Sequence, residues 1–389
     1  MKNALNKSFS VLLSFLFLLM LCSCTEGEDV SSESLQSVTD ETASQVPTTV
    51  SAEETANRKI DKMISEMTVE EKVGQIFYVR CPDSDATDMV SEYHLGGYIL
   101  FGRDFENKTK DEITENIKSY QKISKIPMLI GVDEEGGTVV RVSSNTNLRS
   151  SPFLSPRDTF LNGGWQAVES DAEEKANLLL SLGINVNMAP VCDITSDSNA
   201  FMYDRSFNDY ADKVSDYVQR VVEICKRKKL GTVLKHFPGY GNTTDTHTGI
   251  AYDDREYSEF TQNDFMPFTT GISAGADCVL VAHIIVNSMD SEYPASLSDK
   301  VHAVLRKELN FDGVIMTDDL VMDAITDYTG NESAAVIAVK CGNDILCCSD
   351  VETQYPAVLK AVKDGEIPES QIDASVKRIL KWKSNLGLI

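Results

Sequence analysis

Eight short runs of apolar residues recur between residues 56 and 389, and they constrain the fold more than any other feature of the sequence. They lie at 76–80, 97–101, 127–132, 184–189, 232–234, 278–282, 313–316 and 344–348. Segments with helical spacing of apolar residues lie at 111–123, 171–182, 210–228, 300–309, 357–363 and 374–383. Unbroken apolar strands that alternate with helices indicate an α/β fold with a parallel sheet covered on both faces. Eight strands predict one domain at 56–389, a closed (β/α)8 TIM-type barrel; an open doubly wound sheet is the alternative.

Residues 1–23 read as an export signal. Lys2 and Lys7 precede an apolar run of about a dozen residues, which is too short for a typical membrane span. The residues LCSC at 21–24 resemble the lipobox of bacterial lipoproteins, in which the chain is cut before a cysteine that then receives a lipid. We therefore expect lipidation of Cys24 and an extracytoplasmic protein that this lipid anchors to the cell membrane. Ordinary secretory cleavage nearby is the alternative.

Residues 24–55 predict a disordered acidic linker. Eight Asp or Glu and no Lys or Arg stand between Thr25 and Thr55, and such a segment cannot bury enough apolar surface to offset its chain entropy. The net charge of −24 becomes −26 without the two lysines of the signal peptide, which argues against nucleic acid or an anionic membrane surface as a partner. The lipid is thus the only expected contact with a membrane. We expect a monomer without a cofactor or a metal ion.

The cysteine pattern predicts free thiols. After cleavage and lipidation an odd number remains, and none of them forms a CxxC pair. Four lie in apolar, strand-like runs, namely Cys192, Cys278, Cys347 and Cys348. Buried thiols are therefore expected rather than a disulfide framework.

Charged side chains follow the predicted strands one after another. Active sites of (β/α)8 barrels lie at the carboxyl ends of the strands. The residues found there are Asp133, Arg205, Lys235, His236, His283 and Asp318. Any one of them could be a capping or ion-pairing residue, and His283 equally fits a hydrogen-bonded histidine of the barrel. Their shared position is what indicates a site.

Several longer motifs carry a resemblance. They are GVDEEGGTVVR, APVCDI, DRSF, KHFPGYG with DTH, AHI, PASLS and VIMTDDL. In this order they resemble the family 3 glycoside hydrolases, and within that family the β-N-acetylglucosaminidases. The resemblance covers nearly all of residues 60–389. It departs from the family at Tyr240, where a second histidine is usual, and at Glu134 and Thr138, where Gln and Arg are usual.

The resemblance implies a role for each matching residue. It implies a catalytic nucleophile at Asp318 and an acid/base dyad of His247 and Asp245. It also implies that the terminal sugar is bound by Asp133, Arg141, Arg205, Lys235 and His236.

The residue chemistry agrees with these implied roles. A retaining glycosidase needs a carboxylate on one face of the anomeric carbon and a proton donor on the other. Asp245 and His247 are two residues apart, so in an extended loop they point the same way, and the carboxylate raises the pKa of the imidazole. Glycines at 239, 241 and 249 would let this loop fold over the mouth. Without the surrounding motif, His247 could equally be a solvated loop histidine beside a capping Asp245.

The expected function is that of an exo-acting, retaining β-N-acetylhexosaminidase. It would remove terminal β-linked GlcNAc from peptidoglycan-derived fragments through a covalent glycosyl-aspartate. A family 3 β-glucosidase or xylosidase is one alternative, and a non-catalytic sugar-binding lipoprotein is another. Phosphate in place of water as the acceptor is a minor variant on the same scaffold.

Overall fold

The computed structural model describes residues 51–389, apart from 242, 244–245, 247–248 and 330–332. The predicted signal peptide, Cys24 and nearly all of the predicted linker lie outside the described residues, as do Asp245 and His247. The first helix begins at Ala52, four residues before the predicted start of the domain at Ala56, because Ser51 Oγ accepts the N–H of Glu54 and caps it.

Eight parallel strands form the barrel, and every apolar run identified in the sequence overlaps one of them. In chain order the strands of the described residues are β1 (Phe77–Arg80), β2 (Gly97–Leu100), β3 (Leu129–Val132), β4 (Val186–Asn187), β5 (Gly231–Phe237), β6 (Ala251–Asp253), β7 (Cys278–Val281), β8 (Ile284–Val286), β9 (Val314–Thr317) and β10 (Leu346–Cys348). The barrel order is β10-β1-β2-β3-β4-β5-β7-β9, and β6 pairs with β8 as a separate two-stranded element.

The barrel closes through β10, which pairs with β1 on one side and lies next to β9 on the other. Leu346 in β10 pairs with Phe77 in β1, and a parallel bridge joins Met316 in β9 to Ile345 just before β10. The N–H of Thr317 donates to Ile345 O at 3.1 Å across the same seam. The predicted (β/α)8 barrel is therefore confirmed over the open sheet.

Helices surround the strands. Those of the described residues are α1 (Ala52–Ser65), α2 (Val69–Gln75), α3 (Ala86–Tyr93), α4 (Gly102–Phe105), α5 (Lys110–Ile123), α6 (Pro156–Leu182), α7 (Ala211–Lys228), α8 (Tyr257–Glu259), α9 (Phe265–Ala274), α10 (Asp299–Ala303), α11 (Asp323–Thr329), α12 (Ala334–Cys341), α13 (Val351–Lys363) and α14 (Glu369–Asn385). Short π-helical segments follow α8 and α10, at Phe260–Asp264 and Val304–Glu308.

Burial explains why these strands could be recognised. Each barrel strand from β2 to β10 is buried along its whole length, because side chains on one face fill the barrel and those on the other meet the helices. The helix α7 packs against α6 and α9 with apolar residues at helical spacing, among them Val214, Val218 and Val222. This architecture directs the carboxyl ends of all eight strands to one mouth.

The described part of the chain has seven free cysteines, and six of them are buried. Cys192, Cys278, Cys347 and Cys348 are among the buried ones, as predicted. Within the same residues, none of the helices combines the length and the apolar character needed to span a bilayer.

Candidate active site

Lys235 forms two ion pairs at the end of β5. Its Nζ lies 2.6 Å from Asp133 Oδ1 and 2.7 Å from Glu135 Oε1. The strand was expected to end at Leu234, but it continues to Phe237, so Lys235 and His236 lie within it. The lysine side chain is buried, and burial alone would lower its pKa. The charges of Asp133 and Glu135 outweigh that effect and raise the pKa of Lys235, which therefore stays cationic.

Arg205 completes this cluster from the loop after β4. Its Nε donates to Glu135 Oε2 at 3.0 Å and its Nη2 donates to Glu135 Oε1 at 2.8 Å. Burial by itself would favour the neutral acid. The charges of Arg205 and Lys235 dominate and hold the pKa of Glu135 well below its usual range. The cluster is thus two cations and two anions in fixed positions.

His236 has a defined tautomer. Its Nε2 lies 3.2 Å from Arg205 Nη2, and a guanidinium can only donate, so Nε2 is the acceptor. Its Nδ1 then carries the proton and donates to Asp193 Oδ2 at 2.7 Å. The same carboxylate oxygen accepts the backbone N–H of His236 at 3.0 Å. Asp193 therefore fixes both the ring and the backbone of His236.

Glu134 holds the loop that contains Arg141. Its carboxylate, fully buried, accepts the backbone N–H groups of Arg141, Val142 and Ser143 at 2.8, 2.7 and 3.1 Å, together with the Ser143 hydroxyl. Arg141 is half-buried, and its Nε is buried without a hydrogen-bond partner among the described residues. The acid at position 134 thus has a loop-holding role here, and Thr138 is exposed.

Asp318 lies at the carboxyl end of β9, as the barrel predicts. Its N–H donates to Val281 O at 3.2 Å, and its Oδ1 accepts the N–H of Asp319 at 2.9 Å. Asp319 in turn bonds Ser349 through both carboxylate oxygens, with the N–H of Ser349 at 3.0 Å. His283 is fully buried, and its Nε2 lies 3.0 Å from Asp319 O. His283 and Ser349 therefore support the turn that presents Asp318.

The Asp318 turn and the Lys235 cluster share one mouth. Burial raises the pKa of the Cys347 thiol well above its usual range, and the charges of Asp319, Asp318 and Asp133 raise it further. These carboxylates follow β3 and β9, and Cys347 lies in β10, so all three strands present residues at the same end of the barrel. The carboxyl-terminal end of the barrel, on or after β3, β4, β5 and β9, thus holds Asp133, Arg205, Lys235, His236 and Asp318.

The loop that carries Asp245 and His247 is described only in part. Its first half is fixed at Tyr240, whose N–H donates to Asp193 Oδ1 at 2.8 Å. The Tyr240 hydroxyl forms a hydrogen bond with Thr246 Oγ1. Asp245 and His247 themselves lie outside the described residues, so their roles stay predictions.

Two acids of the site were not predicted from the sequence as site residues. Glu135 pairs with both Arg205 and Lys235, and Asp193 binds both His236 and Tyr240. Each lies in a motif quoted above, GVDEEGGTVVR or APVCDI, but neither stands directly after a predicted strand. The one available signal was their position in those motifs.

Eight parallel strands with fixed charges at their carboxyl ends define the class of (β/α)8 barrels whose active site lies at the mouth. A model of the glycosyl hydrolase family 3 N-terminal domain matches residues 68–382. The chain therefore belongs to this family, which confirms the kinship expected from the motifs.

Relatives and solved structures agree with this family. Beta-hexosaminidase A of Pseudoalteromonas piscicida is 30% identical over 330 residues, and the match spans 78% of this chain and 55% of that protein. Beta-hexosaminidase LpqI of Mycobacterium tuberculosis is 31% identical over 326 residues, and the match spans 80% of this chain and 82% of LpqI. A family 3 β-N-acetylglucosaminidase from Paenibacillus superposes with a TM-score of 0.77 at 30% identity, over 83% of this chain and 63% of that one. The structure of M. tuberculosis LpqI superposes with a TM-score of 0.75 at 28% sequence identity. This match covers 83% of this chain and 96% of LpqI.

Proposed function

We propose that this chain is an exo-acting β-N-acetylhexosaminidase that removes terminal β-linked GlcNAc with retention of configuration. The names of the Pseudoalteromonas and Mycobacterium relatives support the activity, and they agree with the function predicted from the sequence. The observation that carries the proposal is the position of Asp318, a carboxylate at the carboxyl end of β9 and so in the same barrel mouth as the ion pair of Lys235 and Asp133.

Asp318 acts as the nucleophile. Its carboxylate attacks the anomeric carbon, the bond to the leaving oxygen breaks, and a glycosyl-Asp318 ester forms. His247 gives its proton to the leaving oxygen. The same imidazole then removes a proton from water, the water attacks the anomeric carbon, and the ester bond breaks to free Asp318. Two inversions return the β configuration.

The cluster around Lys235 binds the terminal sugar. Asp133 keeps 17% of its side-chain surface exposed, so it can accept bonds from sugar hydroxyls while Lys235 holds it in place. Arg205 and His236 are oriented by Glu135 and Asp193, which leaves little side-chain freedom to lose on binding. Arg141 would contribute its guanidinium from the loop that Glu134 holds.

The natural substrate is a peptidoglycan-derived fragment, and the protein works outside the cytoplasm. Support comes from the export signal at 1–23 and the lipobox-like LCSC, since Cys24 would then carry the lipid. The acidic linker would extend from the membrane through its own charge repulsion. The enzyme would act as a monomer on small GlcNAc-containing saccharides.

A panel of aryl β-glycosides tests the proposed activity. The purified protein should hydrolyse the GlcNAc derivative far better than those of glucose, xylose and GalNAc. Equal or better cleavage of the glucose or xylose derivative would favour a β-glucosidase or xylosidase. Binding of GlcNAc without hydrolysis of any member would favour a sugar-binding protein.

A further inference from the structure

Tyr240 and Thr246 form a contact within the loop between Gly239 and Gly249. The Tyr240 hydroxyl and Thr246 Oγ1 are hydrogen-bonded, and the two residues are 2% and 0% exposed. Thr246 is the residue between Asp245 and His247 in the sequence. Because consecutive Cα atoms lie about 3.8 Å apart, fixing Thr246 restricts where both neighbours can lie.

Tyr240 is itself fixed by the sugar-binding cluster. Its N–H donates to Asp193 Oδ1 at 2.8 Å, while Asp193 Oδ2 binds His236. The ring of Tyr240 packs edge-on against His236, with ring centroids 5.3 Å apart. Tyr240 therefore links His236 and Asp193 to Thr246 through direct contacts.

The start of the loop has an anchor that does not involve the Tyr240 hydroxyl. Arg255 Nη2 donates to Gly239 O at 3.1 Å, and Arg255 Nη1 donates to Asp264 Oδ2 at 2.9 Å. The same guanidinium binds Asp253, the last residue of β6, which follows the loop. Loss of the Tyr240 hydroxyl should therefore release Thr246 while both ends of the loop stay attached.

We infer that Tyr240 is a positioning residue for the acid/base loop. Its hydroxyl holds Thr246, the residue between Asp245 and His247 in the sequence, and so supports the acid/base function proposed for these two residues. This inference rests on the proposed acid/base role of His247. It predicts that the hydroxyl matters for proton transfer to the leaving group and less for the attack of Asp318.

Two variants remove the contact from opposite sides. Tyr240→Phe deletes only the hydroxyl, and Thr246→Val replaces Oγ1 by a methyl group of similar size. Each should lower kcat/KM for a GlcNAc disaccharide by about tenfold or more, a part of the roughly 10² to 10⁴ that general acid catalysis contributes. For dinitrophenyl GlcNAc, whose leaving group needs no proton, kcat/KM should fall far less. On that substrate kcat and KM should fall together, because water attack on the glycosyl-enzyme becomes slow.

The double variant shows whether the two residues act through one contact. Tyr240→Phe with Thr246→Val should be no slower on the disaccharide than either single variant, because each alone already breaks the bond. Losses that multiply would contradict the inference. So would an equal loss on both substrates, or no loss on either.

Tyr98→Phe is the matched control. Tyr98 is fully buried, and its hydroxyl donates to Ala86 O at 2.8 Å, away from the loop. This variant should lower the melting temperature as much as Tyr240→Phe does, and its effect on kcat/KM should not depend on the leaving group.

His247→Ala in the same assays separates the inference about Tyr240 from the proposed acid/base role of His247. If His247→Ala slows both substrates equally, the acid/base role fails and the inference fails with it. If His247→Ala depends on the leaving group and Tyr240→Phe does not, the inference alone is overturned.

Discussion

Arg205 and Glu135 form a bidentate ion pair, in which Arg205 Nε and Nη2 each donate to one oxygen of Glu135. Both side chains are almost entirely buried, at 12% and 2% exposed. Lys235 contacts the same carboxylate and also pairs with Asp133, so Glu135 is the ion-pair partner of Arg205 and one of two partners of Lys235. The proposed sugar-binding cluster therefore depends on Glu135, a residue that holds the other charges in place.

Glu135→Gln should destabilise the protein by about 3 to 5 kcal/mol, because it leaves the buried guanidinium of Arg205 without its ion-pair partner, while Lys235 keeps Asp133. Urea unfolding at neutral pH measures the change. Glu174→Gln is the control, since Glu174 also accepts from Arg149 Nε and Nη2 but is 55% exposed. That exposed pair should contribute about 1 kcal/mol or less. Equal losses in the two variants would mean that burial is not what makes the Glu135 pair matter.

The Glu135 contribution should depend on pH with a defined sign. The pKa of Glu135 is lower in the folded protein than in the unfolded chain, where a glutamate titrates near 4.3. The stability difference between wild type and Glu135→Gln is thus complete above about pH 5 and decreases as the pH falls below the unfolded value. A difference that grew on acidification would contradict this assignment.

Asp318→Asn should abolish nearly all hydrolysis without unfolding the protein, since it keeps the size of the side chain and removes its nucleophilic charge. Asp319→Asn is the matched control, because an amide can still accept from the N–H of Ser349 and donate to its hydroxyl. It should lose much less activity. In wild type, proton NMR should detect the β anomer as the first product, and an initial α product would exclude the covalent mechanism.

His247→Ala should separate substrates by their leaving group. A disaccharide with a poor leaving group should lose nearly all turnover, whereas a dinitrophenyl glycoside should still form the glycosyl-enzyme. That intermediate should accumulate and react with a small added nucleophile such as azide. Asp245→Asn should give a milder form of this pattern, because it lowers the pKa of His247 and keeps the imidazole. Uniform slowing of all substrates would instead make His247 a structural or sugar-binding residue.

Lys383→Met should stabilise the protein most at or below pH 7. Lys383 is fully buried, its Nζ donates to Gln75 Oε1 at 2.7 Å, and burial lowers the pKa of Lys383 to about 7. Below that pH the folded protein carries a buried cation, which Met removes. Between about pH 7 and 10 only the unfolded chain is protonated, so wild-type stability rises and the advantage of Met declines.

The gain at pH 7 should be about 1 to 4 kcal/mol, reduced by the loss of the bond to Gln75. Thermal unfolding across this pH range measures it. Lys381→Met, at an exposed position of the same helix, is the control and should show no such pH dependence. A gain that is constant from pH 6 to 10 would show that charge burial is not its cause.

Cys24→Ala tests the proposed anchor. The variant should leave the membrane fraction and keep its hydrolytic activity, because the lipid on Cys24 is the proposed source of its membrane affinity. Fractionation followed by an assay on an aryl GlcNAc substrate measures both. Retention in the membrane fraction would remove the lipoprotein assignment.

The barrel could be predicted because a strand that is buried on both faces appears in the sequence as a run of consecutive apolar residues. Each of β7 and β9 is a run without a charged residue, and the runs recur with helices between them. The end of β5 was predicted too early, at Leu234, because Lys235 and His236 are polar. Only the fold reveals that Asp133, Glu135 and Asp193 supply the partners that let these two residues lie in a strand.

Helix boundaries were less predictable where Gly or Pro lies inside a helix. The helix α6 was expected from Asp171, but it begins at Pro156 and has a kink at Gly163 and Gly164, where φ is −160° and +63°. The helix α13 was expected from Ala357 and begins at Val351, because Asp350 caps it and the helix continues through Pro356, its sixth residue. Both helices have buried apolar residues on each side of the Gly or Pro positions, and this tertiary packing is not visible in the local sequence signal.

The site residues likewise fall into those that could be predicted from the sequence and those that could not. Asp318 and Asp133 were identified because strand ends meet at the mouth, which is a property of the whole fold. Glu135 and Asp193 were missed as site residues because their partners lie 70 and 43 positions away in the sequence. Long-range pairing of this kind leaves no local pattern.

The seven free cysteines also make the protein a reporter of its own unfolding. Burial raises the pKa of every one of them above its usual range, so the reactive thiolate is scarce in the native state. A maleimide or iodoacetamide reagent should therefore label them only as the chain opens.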